Sequence, residues 1–454
     1  MNGPQGRETI AAIATAPGRG AIAIVRMSGP AASAIALAAC RPGRVLRPRV
    51  AELRTIVSPD GAAIDEGLAI FFPGPRSYTG EDVVELHVHG SPAVARETLL
   101  AVLAGGARLA SAGEFTRRAF EAGKLDLSAA EAVADLIAAE HRGAVRGAAA
   151  RLAGGLAAEV ERHAAALGAI CEELAAALDF PDEVDAPAAP ALAARIAAID
   201  GALAQLSEDW ERGRLVREGV SVAIVGPPNA GKSSLLNGLL GVERALVSPR
   251  AGTTRDTIDE TAALGGGVVA RLTDTAGIRR SDDDLEAAGV ARSEAALAAA
   301  TIALVVVDGS QPLGPEAEGV LRRTRERPRL VYFNKLDLGS AGFEARAPQE
   351  RDALAGSALE ALDVARVRDS LARLAAGGEA DLARPHLGTA RQADAVLEAR
   401  RALEFALETL ARGESVDLVA GDLFAAQAAL RELTGRDASE AVLDGVFGRF
   451  CVGK

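Results

Sequence analysis

The rhythm of hydrophobic and polar positions changes several times along the chain. Over the first 120 residues, short β-rich runs at 21–27, 67–72 and 82–88 are separated by turn clusters at Pro17-Gly18, Pro73-Gly74-Pro75 and Gly105-Gly106. Strand-length apolar runs punctuated by glycine and proline predict one α+β domain. From Ser128 the pattern becomes helical. Ser128 and Glu131 have the spacing of a capping box ahead of Ala132-Val133-Ala134-Asp135-Leu136-Ile137, and Ala-, Leu-, Glu- and Arg-rich sequence predicts helix as far as Asp179. Asp179-Phe180-Pro181-Asp182, then Pro187 and Pro190, interrupt it, and helix is predicted again over 192–210.

At Gly219 the period changes once more. Val220-Ser221-Val222-Ala223-Ile224-Val225 reads as a buried strand running into a Gly-rich loop, and further apolar strands at 268–273, 302–308 and 329–334 alternate with helical segments. That alternation predicts a mostly parallel sheet with crossover helices. Helical patterning returns after Pro385 as far as Leu433, and the chain closes on Phe450-Cys451-Val452-Gly453-Lys454. An α/β domain inserted into a discontinuous helical domain explains this order better than independent units do. The expected division is 1–121 for the N-terminal domain, 122–217 and 379–454 for the two parts of the helical domain, and 218–378 for the α/β domain.

Composition narrows the function. The longest charge-free stretches, 27–40 and 295–307 among them, fall short of the roughly 18 residues a membrane span requires. An early apolar run at 10–16 is cut off by Pro17, too soon for a secretory segment. Cys40, Cys171 and Cys451 are too few and too scattered for a disulfide framework, so a cytoplasmic, reducing location is expected. A net charge of -12 argues against a sequence-independent nucleic-acid coat and leaves room for a local RNA-binding patch. Among 50 basic residues only Lys124, Lys232, Lys335 and Lys454 are lysine. In a chain that uses arginine for generic positive charge these four are candidate positions for a compact charge on a flexible stem, drift under an arginine-favouring composition being the other reading.

Gly226-Pro227-Pro228-Asn229-Ala230-Gly231-Lys232-Ser233 has the GxxxxGK[ST] form, between a predicted strand and a predicted helix. Glycines let backbone N–H groups curl around phosphate oxygens, and the following helix adds its positive end. Lys232 is expected on the β and γ phosphates, and the Ser233 hydroxyl on Mg2+. Asn334-Lys335-Leu336-Asp337 selects the base: a carboxylate at Asp337 accepts from both N1–H and the N2 amino group of guanine, whereas adenine leaves it partly unpaired. Asn334 suits the O6/N7 edge. Between these motifs, Thr254 of Gly252-Thr253-Thr254-Arg255-Asp256 is a candidate second Mg2+ ligand, and Asp274 of Asp274-Thr275-Ala276-Gly277 can hold the Mg2+ shell. Ile278 stands where Ras-like enzymes carry a water-positioning glutamine. Hydrolysis then calls on Arg279 and Arg280, on the acidic run Asp282, Asp283, Asp284 and Glu286, or on a bound cation.

The order of the nucleotide motifs resembles the translation-factor-related GTPases. Four further stretches make the match closer: Ala16-Pro17-Gly18-Arg19-Gly20 leading to Ile24-Val25-Arg26, Tyr78-Thr79-Gly80-Glu81-Asp82-Val83-Val84-Glu85-Leu86, Gly113-Glu114-Phe115-Thr116-Arg117-Arg118-Ala119-Phe120 through Gly123-Lys124-Leu125-Asp126-Leu127, and the terminal Phe450-Cys451-Val452-Gly453-Lys454. With them the chain resembles the MnmE (TrmE) family of tRNA-modification GTPases over nearly its whole length, and all four lysines fall inside these motifs.

The resemblance implies a folate-binding-like N-terminal α+β domain that dimerises and holds a formyl-tetrahydrofolate-type one-carbon carrier, with Arg26, Glu85 and Lys124 on the folate and Lys454 beside it. It implies a K+ ion in place of the missing glutamine, held by Asn229 and the loop carrying Ser248, Arg250 and Thr253, with Glu286 orienting the attacking water. The nucleotide contacts it implies are Asn229, Ala230, Gly231, Lys232, Ser233, Ser234, Ser248, Thr253, Thr254, Asp274, Thr275, Ala276, Gly277, Asn334, Lys335 and Asp337. Ser357 and Ala358 complete them, although the loop 357–363 is shortened and lacks the family's glycine turn. The implied partners are a second copy of the chain in a homodimer, the flavoprotein MnmG (GidA) in a heterotetramer or larger, and tRNA. The implied product is an aminomethyl or carboxymethylaminomethyl group at C5 of the wobble uridine.

His87 and His89, two apart on one strand face, have no third ligand in view and read as structural. Cys451 reads as a neighbour of the one-carbon site. A ribosome-assembly GTPase of the Era or EngA type is the alternative reading, but it calls for a basic KH-like appendage with a GXXG loop and none is visible. A stand-alone folate aminomethyltransferase needs no P-loop.

Overall fold

Alternating burial in the first third of the chain builds a sheet. The computed structural model describes residues 8–139, 142–180, 182–185, 187–218, 220–241, 259–264, 269–274, 297–376 and 386–454. These divide into two compact units, one drawn from Met1–Ile137, Arg151–Asp200 and Thr389–Lys454, the other from Ala138–Ala150 and Gly201–Gly388.

In the first unit, β1 (Ile10–Ile13), β2 (Ile22–Ser28), β3 (Cys40–Arg41), β4 (Glu52–Val57), β5 (Ala63–Phe72), β6 (Val83–His89) and β7 (Arg108–Leu109) form a seven-stranded sheet in the order β3-β4-β5-β6-β2-β1-β7. Its pairs are antiparallel except β1 with β7. Period-2 alternation sends Ala23, Val25 and Met27 into the core, where α1 (Ala32–Ala38) and α2 (Pro92–Ala104) cover them, and turns Arg26 to the other face. The β2–β6 register sets Arg26 directly opposite Glu85. A slip of one residue would bury both charges.

The helices that follow are α3 (Glu114–Glu121), α4 (Leu127–Ala138), α5 (Arg142–Leu152, in the second unit up to Ala150), α6 (Gly155–Asp179) and α7 (Ala189–Glu218, in the first unit up to Asp200 and in the second from Gly201). The expected break after Asp179 is present. The resumed helix is longer than 192–210 at both ends. The capping box expected from Ser128 and Glu131 is not what starts α4. The helix begins at Leu127, and Asp126 caps it by accepting from Ala129 N–H at 2.9 Å. Glu131 turns instead to the far end of the sequence. Its Oε1 and Oε2 accept from Arg391 Nε and Nη2, both at 2.8 Å, and Oε2 accepts from Gln392 Nε2 at 2.5 Å.

In the second unit, β8 (Val220–Val225), β9 (Asp259–Ala263), β10 (Val269–Asp274), β11 (Ile302–Asp308), β12 (Arg329–Asn334) and β13 (Ala353–Ala355) form a sheet in the order β13-β12-β11-β8-β10-β9, parallel throughout except for β9 with β10. The central strands are continuous apolar runs because both of their faces are covered. Val222, Ile224, Leu304 and Val306 pack beneath α8 (Lys232–Leu240) and α11 (Ala361–Ala376). Val225, Val305, Val307 and Phe333 pack on the other side with α9 (Pro315–Arg323) and α10 (Ala341–Arg346). The edge strands β9 and β13 went unpredicted because Asp-Glu-Thr-Ala-Ala and Ala-Leu-Ala carry too little apolar surface to mark a strand.

After Thr389 the first unit resumes with α12 (Ala390–Ala411), α13 (Val416–Thr434) and α14 (Glu440–Phe447). Buried residues recur at helical spacing along α6 (Leu156, Val160, Leu167, Leu174), α12 (Val396, Leu403) and α13 (Leu423, Leu430). Glu131→Ala would leave the Arg391 guanidinium and the Gln392 amide without their acceptor in a largely buried setting. We expect it to cost about 3 kcal/mol, read as an earlier loss of helical circular dichroism in urea, and an unchanged profile would show the cluster to be dispensable.

Candidate functional site

The P-loop leaves the C-terminal end of β8, the place where ligands gather in open parallel sheets. Gly226 passes so close to β11 that a Cβ there would lie 2.0 Å from Val306 O. Asn229 takes a left-handed φ of 60°, a conformation asparagine tolerates better than most residues. Gly231 has φ 96°, and a Cβ on it would lie 2.1 Å from Asn334 Nδ2. Each glycine of the motif is thus fixed by a neighbour's position as well as by curvature. Lys232, the first residue of α8, is buried and donates to Gly226 O at 2.9 Å and Pro227 O at 2.7 Å, folding its ammonium back over the loop. Ser233 and Ser234 follow in the first turn of α8, whose N-terminal amides face the loop.

The loops that follow β12 and β13 are tied to this cradle. Asn334, the last residue of β12, is buried. Its Nδ2 donates to Ala230 O at 2.8 Å, and its Oδ1 accepts from Ala358 N–H at 2.8 Å. Lys335 has φ 64°, and its ammonium donates to Asp308 Oδ2 at 2.8 Å. Burial works against the Asp308 carboxylate, but Lys335 and Ser310 outweigh it and hold its pKa below the usual range. Asp337 is exposed two residues beyond Lys335. Ser357 and Ala358 are both buried. Asp274 ends β10, with its backbone opposite Ile224 of β8. Its side chain, and Ser248, Arg250, Thr253, Thr254, Thr275, Ala276, Gly277 and Glu286, lie outside the described residues.

A second cluster lies on the outer face of the N-terminal sheet. Arg26 donates to Glu85 Oε1 through Nε at 2.9 Å and Nη2 at 2.8 Å, and His87 Nε2 lies 3.0 Å from Glu85 Oε2. The Arg26 guanidinium sits 5.7 Å from the Tyr78 ring centroid and 5.9 Å from that of Phe115. Burial pushes the Glu85 pKa up, but His87 and Arg26 overcome it and hold the carboxyl below its ordinary value. The chain's last residues return to this place. Val452 pairs with Ala112 in an isolated antiparallel bridge, Lys454 O accepts from Phe115 N–H at 3.2 Å, and a Cβ on Gly453 would lie 2.4 Å from Ile13 O. Burial, then Arg26, lowers the Lys454 pKa, while Glu85 and Cys451 act the other way.

The tail is thus bonded to Phe115, whose ring flanks the Arg26 guanidinium. Lys124 is exposed, with its stem 3.7 Å from where a Cβ on Gly80 would stand, in the loop that carries Tyr78. Cys451 is exposed. His89 faces Asp65, with Nδ1 2.8 Å from Oδ1. Sequence reasoning missed Tyr78, Phe115 and His87 as neighbours of the cluster, although Tyr78 and Phe115 stand inside motifs it had singled out. It also missed Asp308, whose position just before Gly309-Ser310 at a strand end was the available signal.

Residues 9–124 match the family described as the GTP-binding protein TrmE N-terminus, and residues 127–451 match the MnmE helical domain. The tRNA modification GTPase MnmE of Chloroflexus aurantiacus is 45% identical, the match covering 98% of this chain and 100% of that protein. Those of Symbiobacterium thermophilum, 45% identical over 99% of this chain, and Caulobacter vibrioides, 43% over 98%, are both covered along their full length. A match of this extent leaves neither unit of the chain outside the likeness: the chain belongs to the MnmE (TrmE) family of tRNA-modification GTPases.

Proposed function

We propose that the protein is a K+-stimulated GTP hydrolase that works with the flavoprotein MnmG (GidA) to install an aminomethyl or carboxymethylaminomethyl group at C5 of the tRNA wobble uridine, using a formyl-tetrahydrofolate-type one-carbon carrier. The observation that carries the nucleotide half is the hydrogen-bonded unit of Ala230, Asn334 and Ala358, which joins a phosphate-binding loop to two base-reading loops. Full-length likeness to proteins named as tRNA modification GTPases carries the rest.

In this reading the amides of 226–233 and the α8 N-terminus bind the phosphates, Lys232 neutralises the charge at the β and γ positions, and Asp337 reads guanine with Ser357 and Ala358 at its edge. Ser233 and Thr254 hold Mg2+, with Asp274 in its shell. Asn229, whose left-handed backbone carries its side chain on the P-loop, holds K+ together with Ser248, Arg250 and Thr253. The two ions supply the positive charge that offsets charge developing on the transferring phosphoryl group. Glu286 orients water, and Thr275, Ala276 and Gly277 form the loop that responds to the γ-phosphate. Arg26, Glu85, Lys124 and Lys454 take the folate. A guanidinium and an ammonium suit its carboxylates, and a carboxylate suits the amino-pyrimidine edge of a pterin. We further infer a cytoplasmic homodimer. No helix among the described residues is long and apolar enough to cross a membrane.

Three outcomes are expected. GTP turnover by the full chain should be faster in KCl than in NaCl; Asn229→Ala should bring the KCl rate down to the NaCl rate, and Lys232→Ala should cut it at least about a hundredfold. Mass spectrometry of tRNA nucleosides from cells lacking the protein should show loss of the C5-aminomethyl-type wobble uridines, restored by the wild type and not by Asp274→Ala. Unchanged nucleosides in such cells would instead favour the ribosome-assembly alternative. Arg26→Ala should weaken tetrahydrofolate binding about tenfold or more in a calorimetric titration, and Arg26→Lys should recover only part, because a lysine cannot replace the two-pronged contact with Glu85. Equal binding by all three proteins would remove Arg26 from the site.

A further inference from the structure

The last guanine-facing loop has no glycine turn to shape it. Its sequence, Ser357-Ala358-Leu359-Glu360-Ala361-Leu362-Asp363, nevertheless forms two successive turns, with Glu360 N–H on Ser357 O at 3.0 Å and Asp363 N–H on Glu360 O at 3.1 Å. Apolar packing holds them only at Ala358, which is part of the core, since Leu359 and Leu362 are 80% and 82% exposed. What meets the loop is a pair of side-chain acceptors from different elements. Asn334 Oδ1 takes the N–H of Ala358, and Asp363 Oδ2, from the first turn of α11, takes the N–H of Ser357 at 2.9 Å. Gly356 makes room for the second contact: a Cβ there would lie 2.4 Å from Asp363 Cγ and Oδ2. Among the described residues the other oxygen of Asp363 meets Arg366, at 3.3 Å and 59% exposed, a surface pair of little weight.

We propose that Asp363 is the positioning residue of the guanine pocket, its carboxylate doing for the Ser357–Ala358 loop what a glycine turn does by backbone conformation. This rests on the GTP reading above. A carboxylate accepting from a backbone amide is a charge-assisted bond, among the stronger single contacts a loop can have. Asp363 on Ser357 N–H and Asn334 on Ala358 N–H together fix the two adjacent amides of this loop, while the phosphate end is left to Gly226, Lys232 and Ser233. Loss of Asp363 therefore frees the base-side wall and weakens nucleotide binding without touching the groups at the phosphates.

The test is titration of the full chain with fluorescent GDP and fluorescent ADP, together with steady-state GTP turnover, for the wild type, Asp363→Ala and Asp363→Asn. The wild type prefers GDP. Asp363→Ala binds GDP about tenfold more weakly and raises KM for GTP, with kcat within about twofold. Asp363→Asn keeps an oxygen acceptor for Ser357 N–H and recovers most of the affinity, which a general loss of folding would not allow. GDP affinity in Asp363→Ala equal to the wild type, a loss confined to kcat, or failure of Asp363→Asn to recover would each overturn the assignment. A wild type with no preference for GDP over ADP would overturn the GTP reading itself, before any substitution is compared.

Discussion

One buried amide organises the nucleotide end of the α/β unit. Asn334 gives a donor to Ala230 O and an acceptor to Ala358 N–H, so a single side chain fixes the phosphate loop and the base-edge loop at once. A buried amide left half satisfied is expensive, which makes the two contacts mutually dependent. The constraint extends backwards into the sequence. Gly231 must lack a Cβ because Asn334 Nδ2 occupies that space, and Gly226 must lack one because Val306 O does. The glycines of the P-loop are therefore as much the consequence of strands β11 and β12 as of the phosphates they face.

The N-terminal cluster follows a different logic, in which charge is concentrated and then partly desolvated. Strand register sets Arg26 opposite Glu85, aromatic rings flank the guanidinium, and the tail bonds to Phe115, one of those rings' residues. Burial, with Arg26 adding to it, makes the Lys454 ammonium easier to deprotonate than in water. The tail reaches the site by backbone contacts to Ala112, Phe115 and Ile13, so its residues are placed by the β-bridge and by Gly453 rather than by side-chain packing alone.

Legibility in the sequence followed burial. Strands 220–225, 302–308 and 329–334 were read to the residue because both faces of each are covered and the apolar run is unbroken. The edge strands β9 and β13 escaped because an edge has less to bury. Ser128 and Glu131 misled because a local spacing was read as a local contact, when the partner of Glu131 is some 260 positions away. In the site, motifs located Lys232, Asn334 and Arg26, but what each touches depended on tertiary neighbours. Spacing gave no hint that Asn334 braces Ala230 or that Asp308 holds Lys335. Asp363 was passed over because a glycine was sought in the loop, and a carboxylate six residues after Ser357 has no local signature.

The cluster around Glu131 bears on why the helical unit tolerates an interruption of its sequence. Glu131 precedes the α/β unit in the chain, while Thr389, Arg391 and Gln392 follow it, and all meet within the first unit. Hydrophobic stripes on α6, α12 and α13 would stabilise several helix registers at similar cost, because alanine and leucine recur along each. A carboxylate that must receive a two-pronged arginine and an amide at the same time is satisfied in one register only. The desolvation of such a group offsets much of its attraction, so its contribution lies less in added stability than in rejecting misaligned packings. That selectivity suits a unit whose two parts are separated in sequence by Gly201–Gly388.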